Sequence, residues 1–145
     1  MIRPATSEDI ESILDMGGRF FSATKYSSLM NYSRDATKKT IEHLIEDDLG
    51  ILLVLDSGRG LTGMVGALLY PFYMSGELTG QELFWWCEDK GRGLDLLKTL
   101  EGKAEELGAK TFSMISLDGL DGERLDRIYQ KNGYERSEHS YLKRL

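Results

Sequence analysis

The chain has 145 residues, of which 41% are hydrophobic and 29% charged, with 2 prolines and a formal net charge of −6. This is the size of one domain with its own core, spanning residues 1–145, and it excludes a disordered or collagen-like chain. The acidic balance excludes a nucleic-acid binder, which needs a basic face to meet phosphates, and it favours a cationic partner.

Cys87 is the single cysteine and closes no internal disulfide. The opening Met1-Ile2-Arg3-Pro4 lacks the apolar run of a signal peptide, so a reducing, cytoplasmic setting is expected. The longest mostly apolar stretch, residues 61–74, is broken by Thr62, Gly63, Gly66 and Pro71. It falls short of the roughly 20 residues that cross a bilayer, so no membrane association is expected.

In chain order, residues 2–5 form a short strand, and Thr6 with Glu8 and Asp9 starts a helix. Ile10, Ile13 and Leu14 recur at helical spacing. Gly17 and Gly18 then weaken the helix before a segment carrying Phe20, Phe21, Tyr26 and Tyr32, rings that either pack or line an acceptor pocket. Asp35 caps a second helix with Ile41, Leu44 and Ile45 on its apolar face, ending near Gly50.

Residues 51–55 and 61–70 flank the turn Ser57-Gly58-Arg59-Gly60 and form an antiparallel hairpin. A further strand, residues 81–87, runs into Lys90-Gly91-Arg92-Gly93. A helix follows, with Leu97, Leu100, Ala104 and Leu107 on one face and a stop at Gly108. With a strand at 111–117 this makes a parallel crossover unit. A helix over 123–132, stopped by Gly133, and a last strand around Tyr141 complete a mixed α/β sheet with helices on both faces.

The turn Lys90-Gly91-Arg92-Gly93 is the strongest local signal. Glycines let a ligand approach the backbone, and the first amides of a helix have no internal partner and point at an anion. Lys90 and Arg92 add charge-assisted donors for phosphate. On its own such a turn is more often a tight connection than a phosphate site.

Three segments in order resemble the Gcn5-related N-acetyltransferases (GNAT). Met1-Ile2-Arg3-Pro4-Ala5-Thr6 followed by Glu8-Asp9-Ile10 resembles their opening strand and helix. Glu82-Leu83-Phe84-Trp85-Trp86, the glycine loop, and a helix ending Glu106-Leu107-Gly108-Ala109 resemble their acetyl-CoA core. Tyr129-Gln130-Lys131-Asn132-Gly133-Tyr134 resembles their C-terminal signature. The strand 82–86 and the ending Gly133-Tyr134 with Glu138, Tyr141 and Lys143 are most similar to compact members encoded by bacteriophages.

The resemblance implies a mostly antiparallel sheet with acetyl-CoA in the cleft between splayed central strands. It implies direct attack of a primary amine, of a small molecule, peptide or protein, on the thioester. It assigns Glu82 as the base, acting through water, and Tyr129 as the donor to the departing sulfur. Backbone N–H groups at Trp86 and Cys87 would polarise the thioester, and Lys90, Gly91, Arg92, Gly93, Leu94 and Asp95 would hold the pyrophosphate. A homodimer is left open.

Two residues depart from the family pattern. Glu88 stands where an arginine or glutamine is usual, and Gly122 replaces an asparagine. Glu88 would repel a pyrophosphate, so either the loop is held differently, with Lys90 and Arg92 supplying the charge, or cofactor affinity is reduced, which keeps open the alternative of a catalytically silent binding module that inhibits or scaffolds a partner. Read as structure alone, Glu82 is a solvent-facing strand residue and Tyr129 a core ring. Trp85 and Trp86 must point to opposite strand faces. Cys87 has no histidine nearby in sequence to activate it, and His43 and His139 are isolated, so neither a thiol nucleophile nor a metal is expected.

Overall fold

The computed structural model describes residues 1–145. Strand β1 (Ile2–Pro4) leads through a 3₁₀ turn into helix α1 (Ile10–Ala23), and a second 3₁₀ turn precedes α2 (Arg34–Glu46). The chain continues through β2 (Gly50–Asp56), β3 (Leu61–Pro71), β4 (Leu78–Cys87), α3 (Gly93–Glu106), β5 (Thr111–Ser113) and α4 (Gly122–Lys131). The sheet order is β1-β2-β3-β4-β5. The first three pairings are antiparallel and β4 with β5 is parallel, as a helical crossover through α3 requires.

Period-two patterning sorts the core. Leu52, Val54 and Met64 face α1 and α2 and pack with Ile13, Leu14, Ile41 and Leu44. Their neighbours Ile51, Leu53, Leu55, Val65 and Ala67 face α3 and pack with Leu96, Leu100 and Ala104. Both faces of the central strands are therefore covered, and burial of each such aliphatic side chain stabilises by roughly 1.5–3 kcal/mol.

Helix α1 does not weaken at Gly17-Gly18 but runs through both. The reason is non-local. The Tyr32 hydroxyl donates to Leu14 O at 2.9 Å, and a Cβ on Gly17 would sit 3.0 Å from that hydroxyl. The glycine makes room for a ring that holds the helix from outside. Phe20 and Phe21 consequently sit on a helix rather than in a loop. The cap of α2 is Ser33, whose Oγ accepts the Ala36 N–H at 3.1 Å, while Asp35 lies within the first turn.

The strand expected at 111–117 stops at Ser113, and no strand forms around Tyr141. Glu135-Arg136-Ser137-Glu138-His139-Ser140 offers no apolar side chain to lay on the sheet, and Tyr141 is 96% exposed. No helix is long and apolar enough to cross a membrane.

Candidate functional site

Strands β4 and β5 pair only over Thr79–Gln81 and Thr111–Ser113, and then they part. Beyond the last pair, Glu82 reaches across the opening and its Oε2 accepts the Ile115 N–H at 2.8 Å. From the other side, the Tyr129 hydroxyl on α4 donates to Ile115 O, also at 2.8 Å. The two residues assigned to catalysis thus meet at one residue, Ile115, which Glu82 holds by its N–H and Tyr129 by its C=O.

Glu82 is 5% exposed, which corrects its reading as a solvent-facing strand acid. Burial raises its pKa to about 7, against the opposing hydrogen bond from Ile115. Burial and the nearby Glu82 and Asp126 carboxylates push the Tyr129 phenol above its ordinary value. Its ring lies between Trp85 and Tyr134, with centroids at 6.2 and 5.6 Å. The Tyr134 hydroxyl donates to Glu101 Oε1 on α3 at 2.7 Å.

An irregularity in β4 decides which groups face the opening. Ala67 pairs with Glu82 but Gly66 with Phe84, so Leu83 is an extra residue, a β-bulge. Before it, Leu78 O accepts from Lys110, so Leu78, Gly80 and Glu82 turn their peptide groups toward β5. After it, Glu88 N–H donates to Thr62 O at 2.7 Å, so Glu88, Trp86 and Phe84 bond to β3. The open peptide groups are therefore those of Trp85 and Cys87. The amide of Trp86, expected to face the thioester, is turned toward Met64 instead.

The same slip sorts the side chains. Trp85 and Cys87 pack on the α3 side and Phe84 and Trp86 on the α1–α2 side, as two adjacent strand tryptophans must.

At the end of β4, Glu88 is not an unpaired acid. Glu88 is held by Arg19 of α1, with Nε at 2.6 Å and Nη2 at 3.2 Å, and by Trp86 Nε1 at 3.0 Å. Arg19 holds the Glu88 carboxyl below the usual range. Gly91 has φ +86°, a left-handed backbone that a side chain would strain. Gly93 opens α3, and a Cβ there would make only ordinary contact, 3.5 Å from Trp85.

The amides of Gly91, Gly93 and Leu94 donate to no backbone carbonyl. Among the loop's charges Lys90 is unpaired, whereas Arg92 Nε donates to Asp95 Oδ2 at 2.7 Å. The buried Trp85 Nε1, beside Gly93, also lacks a partner. Open amides, an orphaned indole N–H and a free ammonium between the strand gap and the helix start suit a polyanionic, amide-bearing ligand such as acetyl-CoA. The Cys87 thiol donates to Asp89 O at 3.2 Å, and burial raises its pKa, the wrong direction for a nucleophile. No group of three or more potential ligand side chains is assembled for a metal ion.

On the opposite side of β4, α1, α2 and the turn between them enclose a cavity of about 350 Å³. Phe20, Phe21, Tyr26 and Tyr32 all line it, and the bulge presents Leu83 and Phe84 to it together.

Solved structures share the fold over the whole chain. A ribosomal-protein-alanine N-acetyltransferase from Brucella melitensis is 21% identical with a TM-score of 0.74, covering 100% of this chain and 98% of that one. The fold is that of the GNAT acetyltransferases. A GNAT family acetyltransferase from Staphylococcus aureus (20% identical, TM-score 0.69) covers 100% of this chain and 98% of its own. An aminoglycoside 6′-N-acetyltransferase from Acinetobacter haemolyticus (16%, TM-score 0.70) has the same coverage. No protein-family model and no curated protein sequence matches the chain. Nothing in these comparisons supports the bacteriophage-type subgroup.

Sequence reasoning singled out Glu82, Tyr129 and the glycine loop as candidates but missed the bulge at Leu83 and the Arg19–Glu88 pair. The bulge had one available signal. Glu82 and the apolar Phe84 and Trp86 fall on one face of a regular strand, a poor mixture for a buried face. Arg19 lies 69 residues before Glu88 and left no local signal.

Proposed function

We propose that this chain is an acetyl-CoA-dependent N-acetyltransferase acting on a primary amine. The observation that carries the reading is the parting of β4 from β5 after Gln81 and Ser113, with open peptide groups along β4 and unpaired amides at the start of α3. Acetyl-CoA would supply the activated acetyl thioester. Trp85 and Cys87 would hydrogen-bond its chain and thioester oxygen, and Lys90 with the Gly91, Gly93 and Leu94 amides would meet its phosphates.

The amine nitrogen then attacks the acetyl carbon, the C–N bond forms and the C–S bond breaks. Glu82, with its pKa near 7, takes the nitrogen's proton through water. The Tyr129 hydroxyl leaves Ile115 O to supply a proton or hydrogen bond to the departing sulfur. Glu88 was the residue that kept a silent module open, and its pairing with Arg19 supports the enzyme reading.

The test is release of free CoA thiol from acetyl-CoA, followed with and without a mixture of primary amines, with the acetylated amine detected by mass. Amine-dependent release supports the reading. Binding of acetyl-CoA with no amine-dependent release overturns it in favour of a silent module.

A further inference from the structure

The cavity beside the bulge differs in character from the surface around it. The chain carries 24 acidic residues, yet none of the 15 residues lining the cavity is charged and 11 are hydrophobic. The nearby acids on α1 do not substitute, because Arg34 binds Asp15 at 2.9 Å and Glu11 at 2.6 Å outside the cavity. Its polar groups are few. The Tyr32 hydroxyl is committed to Leu14 O, Ser33 to capping α2 and the Thr37 hydroxyl to Ser33 O, which leaves Tyr26 and Asn31 to meet a ligand.

Its volume of about 350 Å³ lies near the lower end of the 300–1,000 Å³ that small-molecule sites occupy. The bulge sets this cavity against the reaction site, since Leu83 and Phe84, which line it, directly follow Glu82 at the strand opening. A substrate filling it would have its reactive end at the edge of β4.

We infer that the acceptor is a compact monoamine with an apolar, preferably aromatic, body, of the arylalkylamine class. This rests on the acetyltransferase reading proposed above. It narrows the cationic acceptor that the net charge suggested to one with a single ammonium group. A polyamine or an aminoglycoside carries several ammonium groups, and each would be desolvated against rings with no carboxylate to pair with. An arylalkylamine instead buries its ring among Phe20, Phe21 and Tyr26 and directs its one amine to the edge of β4.

The probe is phenethylamine, compared with spermidine and kanamycin in the CoA-release assay at saturating acetyl-CoA. The inference expects kcat/KM for phenethylamine to exceed that for either polycation by tenfold or more. Ala36 is exposed on α2 at the cavity rim, so its variants are expected to fold. Ala36→Trp should raise the KM for phenethylamine about tenfold and leave acetyl-CoA affinity unchanged. Ala36→Asp should shift preference toward spermidine.

A polycation preferred by the unaltered protein, with acetyl-CoA bound normally, overturns the inference and spares the acetyltransferase reading. An unchanged KM in both variants also overturns it. If no amine is acetylated, binding of phenethylamine alone decides. A Tm raised by phenethylamine and not in Ala36→Trp supports the cavity's assignment while the acetyltransferase reading falls, and no shift overturns both.

Discussion

The Glu82 carboxylate accepts the Ile115 N–H at 2.8 Å across the gap between β4 and the chain beyond β5, in a site where Glu82 is 5% exposed. Burial raises its pKa to about 7, so the folded state binds this proton more tightly than the unfolded chain does. The sign follows. The stabilisation from the protonated form is complete below the ordinary glutamate value and is lost as pH rises through about 7. Glu82→Gln keeps an acceptor for Ile115 and removes the charge. The variant should match the parent near pH 4.5 and become more stable than it by up to about 3 kcal/mol at pH 8. Its turnover should fall, and the rise of kcat/KM through neutral pH should disappear. Denaturant melts and pH–rate profiles of both proteins check this, and parallel stability curves would contradict it.

Tyr129→Phe removes only the hydroxyl that donates to Ile115 O. Stability should drop by about 1 kcal/mol, the worth of one hydrogen bond. Acetyl-CoA affinity should stay constant while turnover falls on the order of 10²-fold, as for a lost general acid. Lost stability with intact turnover would reduce Tyr129 to a clamp on Ile115.

Arg19→Ala leaves Glu88 unpaired at the mouth of the phosphate loop. Acetyl-CoA affinity should weaken up to about fivefold, the scale of an exposed ion pair. Glu88→Gln in the same background should restore it. The weakening should shrink at high salt, because the repulsion is screened. Calorimetric titration at two salt concentrations reads all three.

The loop's two glycines should differ. Gly91→Ala places a Cβ at φ +86° and should cost about 1–2 kcal/mol of stability together with acetyl-CoA affinity. Gly93→Ala meets only ordinary contacts at the first position of α3 and should leave the Tm unchanged or slightly raised. Equal losses in both would contradict this account of the loop.

What could be read from the sequence was what local chemistry determines. The apolar run Ile51 to Leu55, the turn before Leu61, and Gly91 followed by an apolar helical face placed the hairpin and the strand–loop–helix unit correctly. What failed depended on partners far along the chain. Tyr32 preserved α1 through Gly17, and Arg19 neutralised Glu88. The bulge at Leu83 shifted the alternation by one, so the open amides belong to Trp85 and Cys87 rather than Trp86. The expected strand at Tyr141 rested on a single ring, with no apolar neighbours in 135–140 to bury beside it.

The central claim is that acetyl-CoA binds along the gap between β4 and β5, and calorimetric titration of the protein with acetyl-CoA tests it most directly. The account predicts saturable one-site binding, a Tm that rises with ligand excess, and both effects weakened in Gly91→Ala. No heat and no Tm shift at millimolar acetyl-CoA would contradict it.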